Sequence, residues 1–357
     1  MINRQMDLER IGKARVMVVG CGALGNEVVK TLALSGVRNF VLVDMDVVEA
    51  GNLTRSVMYG TEDVGRRKVD AAADRLAAFR PGIKVSTIHG DVAHDVGINL
   101  VRSVDVVVGC VDSRWARYCI NRLAFRAGKP WIDGGIMGMV GTCRVFVWNE
   151  NCYACSLGTD EMNELRRRMP CSGVIRRSIE AGHAPTSAVA ASIIGAVQAQ
   201  ETLKMICGEP DMCGRMFTYD GESLRAAFVD FRAWDDDCPV HEKWEPVTDR
   251  KIYNYLTVSE TLEILNEGFK LRDDCFVDYI ISRKDDAKYE VMCPGRAVER
   301  SFEADGRLAG ELLSGFYQHE YRTIDASFPY PGLTLARLGI PENDVIRTKT
   351  GRFILVN

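Results

Sequence analysis

The chain has 357 residues, of which 46% are hydrophobic and 26% charged, an ordinary globular composition that excludes a disordered chain and divides into two or three domains. With 45 Lys+Arg against 49 Asp+Glu, a formal charge of −4, it offers no basic field for nucleic acid or an anionic membrane surface. Its longest uncharged stretches, around Val16–Gly25 and Ser187–Gln200, fall short of the roughly 20 apolar residues of a bilayer span.

The opening Met-Ile-Asn-Arg-Gln-Met-Asp lacks the apolar core of a secretory signal, so the expected location is the cytoplasm. Twelve cysteines in a reducing compartment do not form a disulfide framework. They are expected to divide among metal ligands, one nucleophile and small buried apolar groups.

In chain order, short β-branched runs alternate with amphipathic stretches, the pattern of βαβ units and a parallel sheet. Val16–Val19 predicts the first strand, Asn26–Leu34 a helix and Phe40–Val43 the second strand. Arg66–Phe79 is helical, with Val69, Ala73, Leu76 and Ala77 at three- and four-residue spacings. Val85–Ile88, Val104–Val108 and Trp131–Asp133 continue the sheet, and Thr142–Trp148 alternates like an antiparallel strand. From Glu150 to His183 the pattern breaks into Cys, Pro, Gly and Arg, which predicts a long ordered loop. A buried helix over Ser187–Cys207 follows, then strands at Met216–Tyr219 and Leu224–Phe231. A boundary falls near Pro246–Lys251. Beyond it a helix (Ser259–Glu267) and strands (Cys275–Ser282, Arg352–Val356) make an α+β module.

Gly20-Cys-Gly22-Ala-Leu-Gly25 follows the first strand and opens a helix. The first glycine permits the tight turn, the second lets backbone approach a phosphate, and the third allows close helix–strand packing. Phosphate would lie at the helix N-terminus. Asp44 ends the second strand nineteen residues after Gly25, where a carboxylate reaches ribose hydroxyls. Taken alone, this motif suits a dinucleotide dehydrogenase. The continuation Asp44-Met-Asp46-Val-Val-Glu-Ala-Gly-Asn52-Leu-Thr-Arg55, with Gly65-Arg-Arg-Lys68 beyond it, does not. Hydride transfer has no use for Asn, Arg and Lys clustered past the ribose carboxylate, whereas a triphosphate needs charge balance there.

Two cysteine pairs add a metal site. Cys152-Tyr-Ala-Cys155 and Cys238-Pro-Val-His241 supply three thiolates and an imidazole, the closed tetrahedral set that Zn²⁺ prefers. Cys171 lies in Arg166-Arg-Arg-Met-Pro-Cys171, inside the irregular stretch. Nearby arginines favour thiolate and the loop favours exposure, as a nucleophile requires.

These motifs resemble the ubiquitin-activating superfamily, the ThiF/MoeB-like adenylyltransferases, whose adenylation domains carry GxGxxG, then DxDxVxxxNLxRQ, then a lysine. Ser56 stands where that family has glutamine. The resemblance covers about residues 1–245 and implies a Rossmann-like α/β adenylation domain that binds ATP through Gly20, Gly22, Gly25, Asp44, Asp46, Asn52, Arg55 and Lys68. It makes Asp112, in Gly109-Cys-Val-Asp112-Ser-Arg-Trp-Ala-Arg117, the Mg²⁺-binding residue, with Arg117 helping to hold the site. Asn3-Arg4-Gln5 is similar to the family's N-terminal segment, whose arginine reaches the partner's site across a homodimer, so Arg4 becomes an in-trans residue. The resemblance also makes Cys171 a thioester site, and Cys152, Cys155, Cys238 and His241 the zinc ligands, with His241 in place of the family's cysteine.

The implied layout is a nucleotide-binding half (1–149), a zinc knuckle and cysteine-bearing crossover loop (150–185), a second adenylation half (186–248) and a C-terminal α+β domain (249–357) whose end is similar to a ubiquitin-fold domain. The implied function is ATP-dependent activation of the C-terminus of a ubiquitin-like β-grasp protein ending in glycine, followed by thioester formation on Cys171 and transfer to a conjugating enzyme. A sulfur-carrier adenylyltransferase of the thiamine or molybdopterin type is the nearest alternative. An NAD-dependent oxidoreductase and a non-catalytic scaffold stay open behind it.

Overall fold

The computed structural model describes residues 7–158, 160–162, 165, 187–209, 212–238, 240–270, 278–283, 290–293, 316–321, 323–328 and 331–357. Taken over these, the chain forms two compact units, one drawn from Met1–Ala93, Leu100–Thr159 and His183–Lys243, the other from His94–Asn99, Asp160–Gly182 and Trp244–Asn357.

The first unit begins with α1 (Leu8–Lys13), β1 (Arg15–Val19), α2 (Ala23–Leu34), β2 (Asn39–Asp44), α3 (Lys68–Phe79) and β3 (Lys84–His89). After α4 (Ile98–Arg102), which straddles the two units, come β4 (Val106–Gly109), α5 (Arg114–Ala127), β5 (Trp131–Met137), β6 (Val140–Phe146), α6 (Ala188–Cys207), β7 (Arg215–Asp220) and β8 (Arg225–Asp230). The strands form one sheet in the order β3-β2-β1-β4-β5-β6-β7-β8. Pairing is parallel from β3 to β5 and antiparallel from β5 to β8.

The central strands are Val-rich because helices bury both of their faces: Val16, Met17, Val18, Val41, Leu42 and Val108 are wholly excluded from solvent. The order reverses at β1, with β2 and β3 on one side and β4 and β5 on the other. That puts the ligand crevice of such folds at the carboxyl ends of β1 and β4. Helix α6 lies close against α2, where a Cβ on Gly195 would come within 2.7 Å of Glu27 Cβ. No described helix is long and apolar enough to cross a membrane.

The expected loop from Glu150 to His183 contains a 3₁₀ turn, Ala154–Ser156, and helical residues 160–162 and 165. Residues 166–186, with Cys171, lie outside the described residues, as does Arg4.

The second unit carries β9 (Val247–Ile252), α7 (Val258–Leu265), β10 (Phe269–Lys270), β11 (Asp278–Arg283), β12 (Glu290–Cys293), β13 (Phe316–Tyr321), β14 (Thr323–Ile324), β15 (Asp344–Thr348) and β16 (Phe353–Val356). One sheet runs β14-β10-β15-β16-β9 and another β12-β11-β13. Thr257 and Glu260 cap α7 reciprocally, the Thr257 amide donating to Glu260 Oε2 (2.8 Å) and the Glu260 amide to Thr257 Oγ1 (3.3 Å). The core is Ile252, Phe269, Ile324, Leu335, Ile346, Ile354 and Val356. The stretch after Thr334 is a turn that ends at Gly339 with φ +80°.

Glu267 ties the turn between β15 and β16. It accepts from the Thr350 amide (2.9 Å), the Thr350 hydroxyl (2.9 Å) and Arg352 Nη2 (2.5 Å). Burial works to raise its carboxyl, but Arg352 and these donors outweigh burial and bring it from 4.5 down to about 2. Because the folded value lies below the unfolded one, the stabilisation is complete above pH 4.5 and lost as the pH falls through about 2. Urea titrations of the full chain across that window should give a stability that falls with pH in the native sequence and a flatter profile in Glu267→Gln; equal slopes would remove Glu267 from this role.

Candidate active site

At the end of β1 the backbone turns at Gly20, whose φ is +94°. A Cβ there would stand 2.4 Å from the Cys110 carbonyl oxygen, and one on Gly25 would stand 1.9 Å from the Gly20 oxygen. Both glycines are therefore demanded by the protein's own packing. Gly22 is different: a Cβ there meets nothing within 4 Å. It caps α2 without a side-chain hydrogen bond, leaving first-turn amides open to an anion.

The turn is braced from beneath. Asn26 Nδ2 donates to the carbonyls of Cys21 (2.7 Å) and Gly22 (2.9 Å), and its Oδ1 accepts from the Met58 amide (2.8 Å). The Tyr59 hydroxyl donates to the same Cys21 oxygen (2.5 Å). Burial, with Asp44 adding to it, pushes the Cys21 thiol well up, and burial does the same at Cys110 and Cys143. These three are packing thiols, in line with their strand and turn positions.

Asp44 ends β2 and accepts from the amides of Cys21 (2.6 Å) and Asp46 (2.8 Å), with lone pairs left for hydroxyl donors. Burial raises its carboxyl above the usual range against the pull of Lys68. Lys68 opens α3 and reaches back to Asp46 Oδ2 at 2.9 Å; its side chain is 11% exposed and that of Asp46 is 57% exposed. Burial works to lower the Lys68 ammonium, but Asp44 and Asp46 overcome it and hold the group above its ordinary value. A buried, firmly charged lysine thus stands beside the glycine turn.

Asn52 and Arg55 lie on the 3₁₀ turn Ala50–Thr54 and its cap. Asn52 Oδ1 accepts from the Glu49 amide (3.0 Å), and Arg55 Nη1 donates to the Gly51 carbonyl (2.8 Å). Their hydrogen bonds are internal to that turn. Ser56 is buried, and its hydroxyl has no hydrogen-bond partner among the described residues.

Asp112 is exposed, just beyond β4, in the loop whose Cys110 amide donates to the Val19 carbonyl (2.7 Å). The β1–β4 pairing therefore brings the Asp112 loop to the glycine turn. No hydrogen bond engages its carboxylate among the described residues, and one hard oxygen donor beside a phosphate cradle suits Mg²⁺. Gln198, in the end of the long helix Gln198-Ala-Gln-Glu201-Thr-Leu-Lys204 that is similar to the family's segment, is wholly buried on α6. Its Nε2 donates to the carbonyls of Gly109 (2.9 Å) and Ile132 (3.4 Å) at the ends of β4 and β5.

Cys152, Cys155, Cys238 and His241 come together with all four ligand atoms within 4.8 Å of one another. Tetrahedral zinc bonds of about 2.0–2.3 Å set ligand separations of about 3.3–3.8 Å, which the cluster reaches by drawing in by about an ångström, so the donor set fits zinc. His241 Nε2 lies 3.5 Å from Cys155 Sγ, while its Nδ1 is buried without a partner. Its ring stacks on Trp234 at 3.6 Å and on Phe125 at 5.3 Å. Asn121 Nδ2 donates to Cys152 Sγ (3.2 Å), and its Oδ1 accepts from Trp131 Nε1 (3.1 Å) and the Tyr153 amide (3.0 Å). Hydrogen bonding draws the Cys238 thiol down and pushes its partner Cys152 up, so without a metal the two share one proton. Structural zinc binding of about 10 kcal/mol or more is comparable with a domain's stability. Purified protein is expected to carry stoichiometric zinc by elemental analysis, and chelation should lower the unfolding temperature sharply. Metal-free protein of unchanged stability would count against the site.

The model of the ThiF family matches residues 2–240. "Sulfur carrier protein adenylyltransferase" of Thermus thermophilus is 34% identical over 227 residues, 62% of this chain and 79% of that one. "Adenylyltransferase and sulfurtransferase MOCS3-1" of Zea mays is 32% identical over 232 residues, 64% of this chain and 47% of that one. The chain spans about half the length of several curated relatives it matches. Among solved structures, E. coli MccB superposes with a TM-score of 0.54 at 22% identity over 67% of this chain and 68% of that one, a likeness of fold. The glycine turn, the carboxylates and lysine beside it and the doubly oriented sheet thus lie within a stretch that one family accounts for from end to end, and the chain belongs to the ThiF family.

Proposed function

We propose that the protein uses MgATP to adenylate the C-terminal carboxylate of a small β-grasp sulfur-carrier protein. The observation that carries this is Lys68, a buried ammonium held between Asp44 and Asp46 beside the glycine turn. A cation there has no task in hydride transfer and suits a triphosphate. The names of the relatives support the sulfur-carrier form over a ubiquitin-like conjugation pathway with a thioester on Cys171 and a conjugating enzyme. Residues 249–357 lie beyond the family match.

In this reading the carrier's terminal carboxylate oxygen attacks the α-phosphorus of ATP. The new oxygen–phosphorus bond forms as the bond to the bridging oxygen breaks, giving an acyl adenylate and pyrophosphate. Gly22 and the first-turn amides of α2 hold phosphate, Asp44 takes the ribose hydroxyls, and Asn52, Arg55 and Lys68 balance phosphate charge. Asp46 hands the Lys68 ammonium over to phosphate, which its own exposure allows. Magnesium held by Asp112 would neutralise charge on phosphate oxygens. Arg4 acts across a homodimer, and the enzyme works in the cytoplasm.

ATP–pyrophosphate exchange with a β-grasp carrier ending in glycine tests the reading. Lys68→Ala and Asp112→Ala should each lower exchange about a hundredfold, the cost of one preorganised contact of ~3 kcal/mol. Cys171→Ala should leave exchange intact, since any thioester follows adenylation. A protein that binds NAD and ignores ATP would overturn it.

A further inference from the structure

Asp112 is exposed, so something other than its own contacts must fix where it points. Ser113, next to it, caps α5 by accepting from the Ala116 amide (3.0 Å). On the other side the Val111 carbonyl accepts from Arg117 Nη2 at 2.7 Å. The same guanidinium donates through Nε to Asp133 Oδ1 (2.8 Å) and reaches the Gly134 carbonyl (3.3 Å). Asp133, on β5, is 0% exposed, and its second oxygen accepts from Arg144 Nη2 (2.5 Å) on β6. The Arg144 guanidinium is itself packed over the rings of Phe146 (5.5 Å), Tyr153 (5.3 Å) and Phe231 (5.4 Å).

We propose that Asp133 is a positioning residue for Asp112: it clamps the Arg117 guanidinium, which holds the Val111 carbonyl and so fixes the peptide that carries Asp112. The proposal rests on the role given to Asp112 above. Two observations favour positioning over simple packing. A buried ion cluster is a poor way to stabilise a strand pair, since apolar residues of similar volume do as well or better. What the planar fork of Arg117 adds is direction, with one edge on a carboxylate and another on a carbonyl, a geometry lysine cannot copy. Arg117 also interacts electrostatically with Asp112 itself, so the clamp sets both the place and the field of the exposed carboxylate.

The test is binding of a fluorescent ATP analogue to the full chain, titrated with magnesium. Arg117→Lys, which keeps the charge, and Asp133→Asn, which keeps the shape, should each raise the magnesium concentration for half-maximal enhancement of binding about tenfold, the equivalent of 1.4 kcal/mol. Excess magnesium should restore the native plateau, and affinity measured in EDTA should not change, because the glycine turn is untouched. A purely structural role predicts equal loss with and without magnesium, and that result, or an unshifted magnesium midpoint in either folded variant, overturns the proposal. Either variant that folds by circular dichroism decides it. Asp112→Asn should abolish the magnesium effect. If it does not, or if the native protein binds no nucleotide, the functional reading itself is wrong, an outcome separate from a failed clamp.

Discussion

The site depends on one steric constraint: the turn after β1 must close against the end of β4 with no side chain in the way. Gly20 lies so near the Cys110 carbonyl, and Gly25 so near Gly20, that a single methyl at either position would collide with backbone. Backbone cannot swing aside as a side chain can. Closure brings the α2 N-terminus, the end of β2 with Asp44, and the loop carrying Asp112 to one crevice. The parallel register of β1 with β2 and β4, Val19 opposite Val43 and Gly109, sets their relative height. Asn26 and Tyr59 then hold the turn's Cys21 carbonyl inward, which leaves Gly22 as the open face.

Around that turn the charges follow one rule. Buried carboxylates are paired or met by amides, because burial would drive an unpaired one to take up a proton. Asp44 has two amides and the nearby Lys68 charge; Asp133 has two guanidiniums. Asp46, paired with Lys68, and Asp112 are the exposed carboxylates around the turn. The buried guanidiniums of Arg117 and Arg144 are taken up by Asp133, while the carboxylate of the β4 loop stays exposed.

The glycine turn, Asp44, Lys68 and the cysteine pairs were legible in the sequence because each depends on a residue type with few other uses at a fixed spacing. Glycine at three positions of a turn, or Cys/His pairs three apart in irregular chain, are seldom chosen for packing alone. Asp133 was not legible. In Trp131-Ile-Asp-Gly-Gly the aspartate reads as the tail of a strand, and its partners Arg117 and Arg144 belong to a helix and to the next strand. Only the fold shows that they meet. Gln198 lies in the helix expected to be buried, but only the fold shows its amide against strand carbonyls. The tail was legible as α+β.

Helix α5 joins what the sequence presented as separate motifs. Arg117, Asn121 and Phe125 are four residues apart and so share one face. The first holds the Val111 carbonyl and Asp133, the second donates to Cys152, and the third stacks on His241. Ser113 caps the helix directly after Asp112, and Gly128 closes it in the left-handed conformation. From Tyr118 to Ala127 every residue is buried. A buried, doubly capped helix of this length bends little, so the cysteine–histidine cluster and the Asp112 loop are mounted on a single rigid body. The cluster's distance in sequence from the nucleotide crevice is therefore no measure of its distance in the mechanics of the fold.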